Sequence, residues 1–397
     1  MQSMSVMIVE DSSSMSGVQY STLNFLTFLE NDENFDPLLL IPSNGEFSKI
    51  CIERDLPFKI FNKSSYTSTS IEIFNGKIRL LNIFSILLNL VNIFIDYCKI
   101  KKFIIVNKPQ VVLTKGLMAH FYGGLAANTC KTPVVWYVQD EISSRYGGIF
   151  RKIFNYLAIR IPVKLIVDGK TILSYTVSEV QRKSSIILNG IEPSSLVPNK
   201  SVETLKSELK IPQESLVIGN IARLTHWKGQ HVLINAFSKY KIYNQNAVLV
   251  LVGSPLFYNE NYHKFLKDKV ANLALSESVI FTGFRRDLGE LLSIMDMFIY
   301  PSIEKDTSPI SLISAMVYGL PIAVSDIESL KDCYEGCNDI EVFESQNEDA
   351  LFQIIDKIGK SDNRENMGES IKYWAEDKFS SIKQNNKITE LFQELCR

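Results

Sequence analysis

The run from Gly219 to Gln230 constrains this chain more than any other stretch. It sets Arg223 and Lys228 between an apolar strand, Val217 to Ile221, and a helix whose apolar residues Val232, Leu233, Ala236, Phe237 and Tyr240 recur at helical spacing. Such a strand-to-helix turn belongs to an open α/β sheet, where ligands bind at the carboxyl ends of the strands. A helix N-terminus there offers unpaired N–H groups and a partial positive charge, both suited to an anion. Arg presents a planar fork to phosphate oxygens and Lys a point charge, so the pair reads as a phosphate site. The alternative for both is a solvated loop. His226 and Trp227, between them, either reach the same anion or meet only water.

Further on, Asp296 to Ser302, Glu304 to Ser308, Pro309 to Gly319 and Leu320 to Val324 read as strand, loop, helix and strand. Leu312, Ile313, Ala315 and Met316 supply the apolar helix face, Gly319 a C-terminal cap and Pro321 a stop. The same alternation runs through the whole chain. Strands are expected near 5–9, 36–41, 57–61, 103–113, 133–138, 163–167 and 186–188, then near 217–221, 247–252, 279–281, 297–300, 322–324 and 340–343. Strict βα alternation implies parallel sheets with helices on both faces. With 397 residues, 46% of them hydrophobic, there is enough chain for two separate cores. Glu192 to Ser201 has two prolines and no apolar period, which makes it the linker candidate.

A net charge of −2 gives no reason to expect a nucleic-acid partner. The six cysteines are scattered, no histidine neighbours Cys333 and Cys337, and free thiols in a cytoplasmic protein are expected. No signal peptide is apparent at the N-terminus. Leu80 to Ile95 is apolar except for Asn82, Ser85, Asn89 and Asn92, which form a narrow polar stripe at helical spacing; Lys99, Lys101 and Lys102 follow. Two readings stand for it: a surface helix packed on the first sheet, or an interfacial helix touching the inner face of a membrane through its lysines.

In this order and spacing the motifs resemble a retaining glycosyltransferase of GT-B fold, glycosyltransferase family 4 (group 1) type. The matching residues are Arg223, Lys228 and Gly229; Leu251 to Gly253; Ile280 to Gly283 with Asp287 and Leu288; and Asp296 to Ser302 leading into Ala315, Met316, Gly319 and Pro321. In the N-terminal half the matches are Met7 to Val9 with the loop ending at Ser16 and Gly17, then Val111 to Gly116, Pro133 to Asp140 and Ile187 to Ile191. The resemblance implies two Rossmann-like doubly wound α/β domains with a cleft between them. Residues 1–195, joined by a C-terminal helix at 378–397, would take the acceptor, and residues 203–377 the nucleotide sugar.

The implied activity moves a hexose from a nucleotide diphosphate sugar to a glycan or lipid-linked hydroxyl acceptor, as in bacterial surface polysaccharide synthesis. No cofactor is implied. No Asp-x-Asp metal motif is present, so Arg223 and Lys228 would stabilise the leaving diphosphate without a metal. Asp306 would hold sugar hydroxyls. Gly253, Gly283, Phe284, Ile310, Ser311 and Ser314 would surround the nucleotide sugar, with Gly17 facing it from the other half; Gly253 and Gly283 would do so by letting backbones approach closely. Phe284 would lie against the base or pack in the core. Ser16, Gln139 and Asp140 form the acceptor side.

Three departures qualify the resemblance. The family's two glutamates, seven residues apart, fall on Asp306 and Ser314. Gln139 stands where many relatives carry histidine, which rules out a proton-exchanging base there. The usual glycine pair of the first loop is Ser16 and Gly17. A catalytically weak binding subunit of a partner transferase is therefore the rival reading, with a GT-B epimerase or phosphorylase behind it. His120, in a glycine-rich helical stretch, reads as a helix-surface residue rather than a catalyst.

Overall fold

In the computed structural model, which describes residues 3–73, 78–139, 142, 148–255, 260–304 and 306–396, the chain divides into two compact units. One comprises Met1–Ile187 with Asn385–Arg397, the other Leu188–Gln384. The first runs β1 (Met4–Glu10), α1 (Gly17–Glu30), β2 (Phe35–Ile41), α2 (Glu46–Glu53), β3 (Phe58–Ile60), β4 (Ser70–Ile73), β5 (Ile78–Leu81), α3 (Ile83–Asn107), β6 (Val111–Lys115), α4 (Leu117–Thr129), β7 (Val134–Val138), α5 (Ile149–Arg160), β8 (Lys164–Val167), α6 (Lys170–Ser174), α7 (Ser178–Gln181) and β9 (Ser184–Ile186). Its main sheet is parallel, in the order β3-β2-β1-β6-β7-β8-β9. The β6 and β7 residues are all buried because helices cover both faces.

The second unit runs α8 (Val202–Glu208), β10 (Leu216–Ile221), α9 (Gln230–Tyr243), β11 (Ala247–Val252), α10 (Glu260–Asn272), β12 (Val279–Gly283), α11 (Leu288–Ser293), β13 (Met297–Tyr300), α12 (Ile310–Tyr318), β14 (Ile322–Ser325), α13 (Lys331–Tyr334), β15 (Glu341–Phe343), α14 (Glu348–Lys360) and α15 (Arg364–Lys378), while α16 (Ser381–Leu395) belongs to the first unit from Asn385 onward. Its sheet, also parallel, has the order β12-β11-β10-β13-β14-β15. Strand order reverses beside β1 in one sheet and beside β10 in the other. Those are the switch points at which doubly wound sheets leave a crevice.

Three sequence expectations need correction. The strand expected at 103–113 is split: Phe103 to Asn107 finish α3, and β6 starts at Val111. The β-branched run Ile104 to Val106 suits a strand, but Ile100 and Ile104, one helical turn apart, are both buried in the core, and that packing overrides local preference. Lys108 in the left-handed conformation and Pro109 then end the helix. The Glu192–Ser201 stretch is no bare linker, because a 3₁₀ turn over Pro193–Leu196 seats Leu196 in the second unit's core. The short antiparallel pair β4–β5 was not foreseen. All six cysteines are free thiols.

Candidate functional site

At the second switch point, β10 delivers its chain end beside that of β13. Asn220 fixes the spacing by donating its side-chain N–H to the Ile299 carbonyl at 2.8 Å. The chain then turns through Arg223 to a 3₁₀ turn, His226–Lys228, and Gly229 opens α9. Gly229 has φ of +70°, and a Cβ there would lie 1.9 Å from the Pro301 carbonyl oxygen, so only glycine lets the two loops touch. The Ile303 N–H donates to the Trp227 carbonyl at 2.8 Å and completes the seam.

This seam buries a cation against an acid. Lys228 forms an ion pair with Asp306 Oδ2 and meets the Tyr300 hydroxyl at 2.5 Å. The same Oδ2 accepts from Tyr300 and from Ser302, each at 2.7 Å, while the Asp306 N–H donates to Ser329 Oγ at 2.9 Å. Burial lowers the Lys228 pKa, with Asp306 opposing and Arg223 reinforcing the shift; burial and Asp306 together hold the Tyr300 phenol well above its ordinary value. Arg223 is exposed 5.7 Å from the Trp227 ring centre and, among the described residues, forms no ion pair. The site therefore keeps one cation neutralised inside and offers the other outside, the arrangement an incoming anion needs.

The remaining expected residues fall around this seam unevenly. Ile310 and Ser311 begin α12, and Ser311 bonds to Tyr300. The loop before them is held by Asn189, which donates its backbone N–H to Ser308 Oγ at 2.7 Å and its side-chain N–H to the Ser308 carbonyl at 2.8 Å. Ser314 is fully buried, and its hydroxyl has no hydrogen-bond partner among the described residues. Gly253 has φ of +140°, its N–H meets the Gly283 carbonyl at 2.9 Å, and a Cβ would lie 2.0 Å from the Ala222 oxygen. Gly283 corrects the expectation of close approach. Nothing lies within 4 Å of its would-be Cβ, and only its φ of +72° requires glycine. Phe284 is 49% exposed, which removes the core-packing alternative. His226 stacks on His231 at 4.7 Å, and burial pushes the His231 pKa down to about 4.

The first unit's strand ends hold a network that the sequence reading missed. Glu10 closes β1 fully buried, accepting from Thr22 and from Gln19 at 3.1 Å. Ser16 joins it by donating to Gln19 at 2.6 Å, and exposed Gly17 opens α1. Lys115 closes β6, buried 4.7 Å from the Tyr137 ring centre; burial pushes its pKa down to about 8 against the pull of Glu10 and Asp168. Asp11, next along, pairs with Lys63 and accepts from the Met118 N–H at 3.2 Å. A signal was available, since three apolar strands run straight into a charge at Glu10, Lys115 and Asp168. Gln139 follows β7 at the same edge, and Asp140 lies outside the described residues. His120 is not on a helix surface. It is 1% exposed, stacked on Trp136 at 5.0 Å and bonded to Thr114 Oγ1 at 2.7 Å, and burial pushes its pKa down to about 3.

With this geometry in place, likeness to known proteins becomes informative. Residues 201–374 match the profile of the family Glycosyl transferases group 1. The chain is 25% identical to the O-antigen biosynthesis glycosyltransferase WclY of Escherichia coli, over 68% of this chain and 73% of that one. It is 24% identical to the UDP-Gal:alpha-D-GlcNAc-diphosphoundecaprenol alpha-1,3-galactosyltransferase of the same species, over 54% of each. The crystal structure of Anabaena HepE with UDP and glucose superposes with a TM-score of 0.82 at 18% identity, covering 98% of this chain and 100% of that one. Residues 201–374 thus belong to the glycosyl transferases of group 1, and they lie in a chain of GT-B fold.

Proposed function

We propose that this protein transfers a hexose, with retention at the anomeric carbon, from a nucleotide diphosphate sugar to a hydroxyl of a glycan or lipid-linked acceptor. The observation that carries this is the cation pair at the carboxyl end of β10, with Lys228 buried against Asp306 and Arg223 open beside it. The developing negative charge falls on the leaving diphosphate, where preorganised cations in a low-dielectric site stabilise it most. Arg223 would grip the distal phosphate oxygens and Lys228 supply the inner charge. Asp306 Oδ2 is saturated by three donors, while Oδ1 takes none from the described residues and is free to accept from a sugar hydroxyl. With Gln139 unable to exchange a proton, the acceptor proton would pass to a leaving-phosphate oxygen on the same face.

UDP is the first nucleotide to test, since HepE was solved with UDP and the galactosyltransferase relative is named for UDP-Gal. Residues 1–195 with 378–397 would serve the acceptor and 203–377 the donor. The relatives' O-antigen and diphosphoundecaprenol names favour surface polysaccharide or glycolipid synthesis on the cytoplasmic side of a membrane. Comparing UDP, GDP and ADP at equal concentration in thermal shift picks the base, because a ligand of the folded state stabilises by RT ln(1 + [L]/Kd). Transfer should then proceed in excess EDTA, and NMR of the product should show the donor's anomeric configuration. An inverted product, or activity abolished by EDTA and restored by Mn²⁺, overturns the retaining or the metal-independent part.

Ser314 supports one rival. A fully buried hydroxyl stands where the resemblance puts a ribose-gripping carboxylate, so a binding subunit with weak or no catalysis fits too. Nucleotide binding without acceptor-dependent release of nucleotide diphosphate would decide for it.

A further inference from the structure

Helix α3 is amphipathic in reverse. Its polar stripe, to which the sequence assigns no direction, faces the protein. Asn89 accepts from the Thr67 N–H at 3.0 Å and donates to the Thr67 carbonyl at 2.8 Å, and Asn92 donates to the Ser65 carbonyl at 2.7 Å. Buried Asp96 accepts from the Ser64 N–H at 3.0 Å and from the Tyr66 hydroxyl at 2.9 Å. At the helical turn angle these residues lie opposite Phe84, Leu87, Leu90, Val91, Phe94 and Ile95, which share an arc of about 140°. All six are exposed, Phe84 to 76% and Phe94 to 63%. A contiguous apolar face of this extent marks an interaction surface.

Charge identifies what covers it. The whole chain carries −2, yet residues 96–190 hold fourteen Lys and Arg against five Asp and Glu. Lys102 and Lys108 stand exposed at the C-terminal end of α3. Helix α5 shares its core layer, since Phe154 and Ala158 join Ile100 and Ile104 in one cluster, and it shows Ile149, Ile153 and Tyr156 to solvent beside exposed Lys152 and Arg160. Apolar residues among cations suit an anionic lipid surface. Two copies of the chain meeting here would set like charges against each other. A span is excluded by packing: Ile100 and Ile104 are in the protein core, and the free stretch from Ile83 to Ile95 is about 20 Å long against a hydrocarbon thickness of about 30 Å. Lys99 takes no part, being held by Asp96 at 2.9 Å and by the Asn62 carbonyl at 2.5 Å.

We propose that the outer faces of α3 and α5 seat the protein on an anionic phospholipid bilayer, with α3 lying in the headgroup plane. Flotation with phosphatidylcholine vesicles, with and without phosphatidylglycerol, tests this. The parent protein should favour the anionic vesicles by more than about tenfold, and Lys102→Glu with Lys108→Glu, Lys152→Glu and Arg160→Glu should abolish that preference. Leu87→Ser with Leu90→Ser and Phe94→Ser should release the protein from both vesicles while leaving its UDP-induced thermal shift intact, which separates this proposal from the donor reading. Phe84→Trp gives a readout independent of folding losses, with a blue shift and quenching by brominated acyl chains on binding. The proposal fails on any of four results: no parent binding, binding untouched by the serine variant, a parent dimer that the serine variant makes monomeric, or a parent that resists alkaline carbonate extraction as a span does.

Discussion

The two sheets place an acid and a lysine at the same topological position and use them differently. In the first unit Glu10 and Lys115 end the adjacent strands β1 and β6, and both are sealed, at 0% and 1% exposure. In the second, Lys228 and Asp306 follow the adjacent strands β10 and β13 and stay slightly open, at 6% and 8%. The sealed acid is satisfied from α1 by Gln19 and Thr22, so the helix behind the strand has filled the crevice. The open pair comes from loops, with α9 beginning only at Gln230 and Arg223 left facing water. Topology decides where a crevice can form. Loop length and side-chain supply decide whether protein or ligand occupies it.

The largest test removes one acid from each place. Asp306→Ala leaves the buried Lys228 ammonium without its ion-pair partner and should cost about 3–5 kcal/mol in urea unfolding. Glu10→Ala should also destabilise, because Gln19 and Thr22 lose their acceptor and Lys115 the charge that opposes its burial. The two should separate on adding UDP. A diphosphate can replace the lost charge beside Lys228, so saturating UDP should recover part of the Asp306→Ala loss while adding only the parent's increment to Glu10→Ala. Equal recovery in both would break the contrast.

Acid should also distinguish the units. The folded His120 pKa of about 3 lies below the unfolded value of 6.5, so between these the unfolded chain binds the extra proton and stability falls as pH falls. At about pH 4.5 this amounts to about 3 kcal/mol, nearly all present again above the unfolded value. His231, its pKa about 4 but only partly enclosed, should contribute less. Trp136 lies against His120 in the first unit, and Trp227 and Trp374 are in the second. Followed through Trp136 in a Trp227→Phe, Trp374→Phe background, the first unit should lose its signal at a higher pH than the Trp227 and Trp374 signals are lost in a Trp136→Phe chain, and His120→Gln should move the Trp136 midpoint to lower pH.

How much of this was legible follows the same division. Strand ends and βα order were readable because buried parallel strands are continuous apolar runs, and the loop that carries Arg223 and Lys228 because two cations interrupt such a run. The α3–β6 boundary was not, since Phe103 to Val106 satisfies strand and helix patterns alike and only the burial of Ile104 decides. The direction of the α3 stripe was not either. Periodicity tells which residues share a face, and the partners at Ser64 to Thr67, some twenty to thirty residues earlier, tell where that face points. His120 was misplaced because a lone histidine among glycines carries no sign of the Trp136 ring that covers it.

Arg223→Ala should act on binding alone. The guanidinium is exposed and outside any ion pair among the described residues, so the fold should be unaffected, while loss of a charge-assisted bond weakens UDP by about 1.5–3 kcal/mol, roughly ten- to a hundredfold. Lys228→Ala should weaken UDP as well but also destabilise, because Asp306 is then stranded. Calorimetry beside urea melts reads both. Unchanged UDP affinity in Arg223→Ala would remove the cation pair from the donor site.

The smallest effect concerns the position where sequence and structure pull apart. A carboxylate at Ser314 would match the resemblance, but the side chain is fully buried within α12 and its hydroxyl finds no partner among the described residues. Ser314→Glu would force a larger, charged group into that packing and should destabilise rather than improve the site. Ser314→Ala asks the cleaner question. Removing an unsatisfied buried hydroxyl should stabilise the ligand-free protein by about 1 kcal/mol, since the desolvation cost of that group disappears. If the hydroxyl is unpartnered because it waits for the ribose, the same change should weaken UDP by about 0.5–1.5 kcal/mol, roughly two- to twelvefold, and a 2′,3′-dideoxy nucleotide should bind parent and variant alike. Stabilisation with unchanged UDP affinity would make Ser314 a packing residue. The second unit would then grip its nucleotide through phosphate alone, and the second crevice would be closer to the sealed one than its open pair suggests.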